Sequence, residues 1–259
     1  MLWSAVLLAS LAAGMTTSGR GDVLLAGNLR AAAGAEAAAD GAVFEAGFHL
    51  LDPASPWAAD GRPIAAARRG ATVTVCIVNE AGKINPNTAS PGLLAALLRV
   101  VGVEGAAADR LSLAVYDWRS GGDRSSMGGS KLAPYQEAGL AYGPPGTPFT
   151  ELDGLRSVVG MTPELFRRVA PYLTLWSDGE PDPHAASPVV LAALQSLIGL
   201  DPRANTTPAR PTAVAVTAVA QIGTGARFIR RAALRLTPAD PAPVRVLTWE
   251  EADAAPACR

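Results

Sequence analysis

Two histidines and two cysteines are the residues of this chain best suited to chemistry, and their surroundings decide what they can do. His184 stands in a proline-containing stretch with Asp178, Glu180 and Asp182, a donor set of imidazole and carboxylates that a divalent metal would accept. An acidic proline loop is more simply a solvated one, and solvation is the expected reading. His49 closes a helical run, His184 lies in a loop, and neither adjoins a serine or cysteine nucleophile motif. No catalytic constellation is legible; a hydrolase stays open, with no residue pattern in its support. Cys76 lies in a strand-like run and Cys258 is the penultimate residue, which excludes a framework of several disulfides. The expectation is a buried strand cysteine and a frayed tail thiol, with one bridge open if the C-terminus folds back beside the strand. Asn85, Asn87 and Thr88 suit either a partner-binding turn or an Asx turn that caps its own backbone, and the second reading is expected.

The elements that position these residues announce themselves through an internal echo. Asn85-Pro-Asn-Thr-Ala-Ser-Pro, followed by a Leu-rich run to Gly102, returns in weaker form as Asp182-Pro-His-Ala-Ala-Ser-Pro and a run to Gly199. Each copy reads as a polar turn and then a helix, with Ser90 or Ser187 as N-cap and Pro91 or Pro188 at the first helical position. Gly102 or Gly199 stands just past the end. The buried faces are expected to be Leu94, Leu97, Leu98 and Val101, and then Leu191, Leu194, Leu197 and Ile198. Two copies so far apart are not a solenoid; they bracket one inserted module.

Bulk properties bound the rest. With 259 residues, 49% apolar and 17% charged, the chain can bury one large or two small cores. Aromatics are 5%, so packing relies on Ala, Leu and Val, as in close-packed helices. A formal net charge of −1 argues against an electrostatic grip on nucleic acid.

Leu2–Gly14 is apolar and uncharged but shorter than the roughly 20 residues that span a bilayer as a helix. No Lys or Arg precedes it, unlike a secretory signal; the reading favoured is the inner part of a membrane helix whose true start lies upstream of Met1. Residues 1–51 can then form one long helix ended by Pro53 and Pro56, with Leu24, Leu25, Leu29, Phe44 and Phe48 available for packing on partners. Its glycines weaken it, so it needs a partner surface. Residues 71–78 alternate as a strand, and 212–222, 226–236 and 244–249 form an antiparallel meander that this strand completes. Between them lie a helix over 102–119 with Asp109 as a candidate cap, and a long loop over 119–149. A helix opened by a capping box at Thr150–Asp153 and another begun by Thr162-Pro163 follow.

Seven segments in register carry a resemblance. They are Glu80-Ala-Gly-Lys-Ile-Asn-Pro-Asn-Thr-Ala89, Ala114-Val-Tyr-Asp-Trp118, Pro134-Tyr135, Glu151-Leu152, Val159-Gly-Met-Thr-Pro-Glu-Leu-Phe166, Pro171-Tyr-Leu-Thr174 and Val244-Arg-Val-Leu-Thr-Trp-Glu250. Together they resemble the type II secretion minor pseudopilin K family, also called general secretion pathway protein K, from about residue 20 to 250. The resemblance implies an α+β fold: a pilin-like long N-terminal helix plus a small antiparallel sheet with a large inserted all-helical domain. The domains are then 1–51 as the helix with its transmembrane part, 52–84 and 211–259 as the sheet region, and 85–210 as the insertion. It implies a non-enzymatic structural subunit, single-pass in the inner membrane with its main domain in the periplasm. Its partners would be minor pseudopilins I and J and the pseudopilus, whose tip it caps and whose assembly it helps to start for protein export.

The chain departs from that family in lacking a basic leader before a glycine and in replacing the acidic residues after Asp117-Trp118 with Arg119-Ser-Gly-Gly-Asp123. The Gly-Ala-Glu pattern that follows them in the family is absent too, and the second asparagine turn has become Asp182-Pro-His-Ala-Ala. Members of the family can hold calcium in the helical domain; the candidate ligands remaining are Asp117, Asp123 and Glu151, against which stand helix capping and surface charge. No other cofactor is implied. The rival reading is a helix-hairpin-helix DNA-binding protein of the competence-receptor type, which opens with a similar Ile-Asn-x-Asn-Thr-Ala segment. Its hairpin amides must meet phosphate, whereas Gly102-Val-Glu-Gly105 places a carboxylate there and Gly160-Met-Thr-Pro163 a proline.

Overall fold

The N-terminal run forms a single helix, α1 (Leu2–Leu51), in a computed structural model that describes residues 2–68, 70–199, 201–204, 206–207, 209–223, 225–254 and 258. Of Leu2, residues 5–20 and Ala67 it describes the backbone alone, so the apolar start read as part of a membrane helix lies, Trp3 and Ser4 apart, outside the described side chains. Among the described residues no helix is long and apolar enough to cross a membrane. The second half of α1 buries a narrow seam of small residues, Ala35, Ala39, Ala42, Val43 and Ala46, each fully inaccessible. Gly34 belongs to the same seam, since a Cβ there would come within 2.8 Å of Ile222 Cδ1. Gly47 is a second such place, where a Cβ would lie 3.2 Å from Val244 Cγ1, whereas Gly21 and Gly27 have nothing within 4 Å.

That sheet has five antiparallel strands in the order β1 (Asp60–Arg68), β2 (Ala71–Asn79), β3 (Ala213–Ile222), β4 (Ala226–Leu236), β5 (Val244–Glu251). Four of these form where strands were expected, although burial along β2, β3 and β4 runs through consecutive residues. β1 was not expected, because Pro63 and a run of alanines give it little strand character; it sits at the sheet edge, where a missing N–H is tolerated. Val73, Val75, Ile77, Val216, Ala218, Ala220 and Leu234 are buried. Arg230, 7% exposed, bonds through Nε to Asp40 Oδ1 at 2.6 Å and through its second nitrogen to Glu36 Oε1 at 3.1 Å, tying β4 to α1. Burying a guanidinium is tolerable because two carboxylates of the helix receive it.

The cysteine expectation is overturned. Cys76 and Cys258 form a disulfide with Cα atoms 5.8 Å apart, well within the span a bridge requires. Cys258 thus lies beside β2, which composition could not reveal.

Between β2 and β3 the chain builds helices α2 (Pro91–Val100), α3 (Gly105–Arg119), α4 (Ala133–Glu137), α5 (Pro163–Val169) and α6 (Pro188–Ile198). Contacts divide the chain into two units: Met1–Ile77 with Ala215–Leu234 and Val244–Arg259, and Val78–Val214 with Arg235–Pro243. The core of the helical unit gathers Leu93, Leu94, Leu97, Leu98, Leu111, Val115, Leu155, Phe166, Val190 and Leu194, with α2 packed on both α3 and α6. Ser90 and Ser187 accept from the amides of Leu93 and Val190 at 3.2 and 3.4 Å, so both N-caps form as expected. Gly102 and Gly199 adopt φ of +91° and +70°, the left-handed turn that ends each helix.

Other expectations are corrected. Leu197 and Ile198 are about half exposed rather than buried, and the buried residues of α6 are Val190, Ala193 and Leu194. Asp109 is no cap; it lies inside α3 and pairs with Arg99, while Glu104 precedes the helix without a side-chain cap. The capping box at Thr150–Asp153 does not form: Leu152–Ser157 is a 3-10 helix whose preceding residue, Glu151, makes no cap bond. The 119–149 loop contains the short α4 around the buried Tyr135.

Candidate functional site

The asparagine signature proves to be a corner. Asn85, 5% exposed, accepts the Asn87 amide on its Oδ1 at 2.9 Å and donates through Nδ2 to the Ser177 carbonyl at 2.8 Å. Asn87 clasps residue 149 from both sides, donating to the Phe149 carbonyl at 2.8 Å and accepting its amide at 2.7 Å. Both asparagine side chains of this turn bond within the unit, as the structural reading expects. In the second copy Asp182 Oδ1 accepts the His184 amide at 2.8 Å, so the Asx turn survives although its sequence has drifted.

The acidic loop around His184 does not assemble a site. His184 Nε2 lies 3.0 Å from the Thr206 carbonyl, and Asp178 pairs with Arg235 Nη1 at 2.6 Å. Among the described residues no three His, Cys, Asp or Glu side chains gather where a metal ion could be held.

Asp117, Asp123 and Glu151 lie in different settings. Asp117 is 4% exposed at the end of α3, whereas Asp123 and Glu151 are exposed. The Asp117 carboxylate is occupied by donors of the following loop: Ser126 Oγ at 2.6 Å and Ser126 N at 3.0 Å on Oδ1, and Ser125 Oγ at 2.6 Å on Oδ2. Lys131, 6% exposed, turns its ammonium onto the Ser120 carbonyl at 2.6 Å, the Ser120 hydroxyl at 2.9 Å and the Gly121 carbonyl at 3.3 Å. Calcium wants six to eight oxygens, largely carboxylates. Here the one buried carboxylate is consumed by hydroxyl and amide donors, and the nearby carbonyls already face a cation, so the residues present do not fit that ion. Ser125, Ser126 and Lys131 escaped sequence reasoning; the available signal was that Lys131 is one of only two lysines.

Nearby, Tyr135 is 2% exposed, packs on Trp118 and Tyr142, and accepts the Val159 amide on its hydroxyl at 3.3 Å. Burial pushes its phenol up to about 12. Glu164 at the start of α5 is held below the usual carboxylate range, chiefly by its own backbone amide.

Leu24, Leu25, Leu29, Phe44 and Phe48, expected as packing residues of α1, are 55–69% exposed. Val23 extends the row at 72%. A long helix that buries alanines on one side and presents leucine and phenylalanine on others is equipped to meet apolar surfaces. In the helical unit, the α2–α3 turn has Glu104 immediately before α3, and its Val101 carbonyl receives Arg168 Nη1 at 3.0 Å. A carboxylate at the amide end of a helix is the wrong charge for phosphate.

Comparisons with known proteins agree with this architecture. Residues 75–178 match the family model described as type II secretion system, protein K. No curated protein sequence matches. Among solved structures, one similar to this chain is described as the GspK-GspI-GspJ complex from the enterotoxigenic Escherichia coli type 2 secretion system. The identity is 13%, the match covers 92% of this chain and 100% of that one, and the TM-score is 0.63.

Proposed function

We infer that this chain is a protein K of the type II secretion system, a structural minor pseudopilin. The observation that carries the inference is a five-stranded sheet backed by a long helix, interrupted after β2 by a helical unit in the segment that matches the protein K model. Its action is mechanical: it offers surfaces and performs no reaction. The partners are minor pseudopilins I and J, as in the complex of the similar chain, and together they cap a short pseudopilus and help initiate its assembly. The exposed Leu24, Leu25, Leu29, Phe44 and Phe48 on α1 supply the apolar contacts that packing against neighbouring pseudopilin helices needs.

The finer placement, single-pass in the inner membrane with the sheet and helical unit in the periplasm, is supported by two features. The Cys76–Cys258 disulfide belongs in an oxidising compartment. The apolar, uncharged Leu2–Gly14 stretch suits the membrane side of α1. Co-expression of the full chain with pseudopilins I and J of the same secretion system tests the proposal: capture of either partner should recover this chain, and consistent failure would refute it.

A further inference from the structure

We propose that the Lys131 ammonium is the resident cation of the 120–131 loop, so that the helical unit is organised by a covalently attached charge instead of a bound divalent ion. The loop leaves α3, turns, and returns to its start: the Ser125 amide bonds the Gly129 carbonyl at 3.0 Å, the Gly128 amide the Ser125 carbonyl at 3.0 Å, and the Lys131 amide the Asp123 carbonyl at 3.0 Å. The closure brings Lys131 back to the base of the loop, where its ammonium, out of water, needs acceptors. The Ser120 and Gly121 carbonyls provide them. An ammonium carries three donors, and all three are used, on two carbonyls of consecutive residues and one hydroxyl.

The other half of the arrangement is anionic. Asp117 receives three donors, the Ser125 hydroxyl, the Ser126 hydroxyl and the Ser126 amide, the last shared between its two oxygens. A carboxylate offers about four lone-pair positions, so both oxygens are already engaged and a metal would have to displace a donor. The two buried charges have opposite sign and bracket one loop, Asp117 in the last turn of α3 and Lys131 at the loop's close, and the polar groups of that loop solvate both. Ser120 links the halves: its hydroxyl bonds the Asp117 carbonyl at 3.4 Å and receives Lys131 Nζ. The segment beyond is attached as well, through the Gly146 amide on the Trp118 carbonyl at 3.0 Å. A divalent ion entering here would have to displace the ammonium and strip the serines from Asp117. The device stands whether or not the chain assembles with other pseudopilins.

The test is thermal unfolding of the full chain in excess EGTA and in millimolar calcium chloride, followed by the same measurement on Lys131→Met. The midpoint of the wild type should be the same in both buffers. Lys131→Met should lower it by about 5 °C, since a buried charged hydrogen-bonding partner is lost from a chain of this size. Hydrogen exchange of the Ser125 and Lys131-position amides should accelerate at least about tenfold in that variant, as expected when the loop loses on the order of 1.4 kcal/mol of closing free energy. A midpoint that falls on chelation, heat of calcium binding by calorimetry, or unchanged exchange in Lys131→Met would overturn the proposal. Should Lys131→Met fail to fold, the chelation comparison on the wild type still decides.

Discussion

Tyr135 shows how one buried polar residue makes the helical unit sensitive to alkali. Its phenol, ordinarily near 10, is raised to about 12 chiefly by burial, so the folded state holds its proton where the unfolded state releases it. The contribution is therefore intact below pH ~10 and is lost as pH rises from there towards 12. Replacing Tyr135 by Phe should remove that component of the alkaline slope while costing about 1 kcal/mol near neutrality, because the Val159 amide loses its acceptor. Denaturant titrations of both proteins at several pH values between 8 and 12 measure it; identical slopes would show that Tyr135 is not the group responsible. At this scale the sequence was legible where side chains act on their own backbone. Asn85, Ser90 and Ser187 behave as their residue types dictate. It was silent on Lys131 and Arg230, whose partners are set by tertiary closure.

At the scale of elements, the two echoed helices are the clearest case of sequence specifying structure. N-cap serine, proline at the first position and a left-handed glycine at the end all act locally, and all three recur in both copies. Ser90→Ala should therefore destabilise the protein by about 1 kcal/mol, and Ser187→Ala, whose capping bond is longer, by somewhat less. Urea unfolding with an unchanged slope and a lowered midpoint would register both. Loss of stability in neither variant would mean that tertiary packing alone holds these helix starts. The elements that escaped prediction lack such local devices. β1 stands at the sheet edge, the 3-10 helix at Leu152–Ser157 buries Leu155 alone, and the buried face of α6 stops at Leu194, short of Leu197 and Ile198.

For the molecule as a whole, the insertion of a helical unit between β2 and β3 explains why motifs spread over most of the chain belong together. It also gives the Cys76–Cys258 disulfide its weight, since it joins residues separated by 182 positions, near the end of the chain and within β2. Cys76→Ser should lower the stability of the sheet unit by about 3 kcal/mol, chiefly by releasing chain entropy in the unfolded state. Calorimetry with and without a reducing agent would show the same loss in the wild type and none in the variant. The central claim concerns assembly, and its most direct measurement is the mass of the particle formed when the full chain is co-expressed with minor pseudopilins I and J of its own secretion system. Size-exclusion chromatography with light scattering should find the three in one species whose mass is the sum of one copy of each; elution of this chain apart from both partners, at its own mass, would contradict the account.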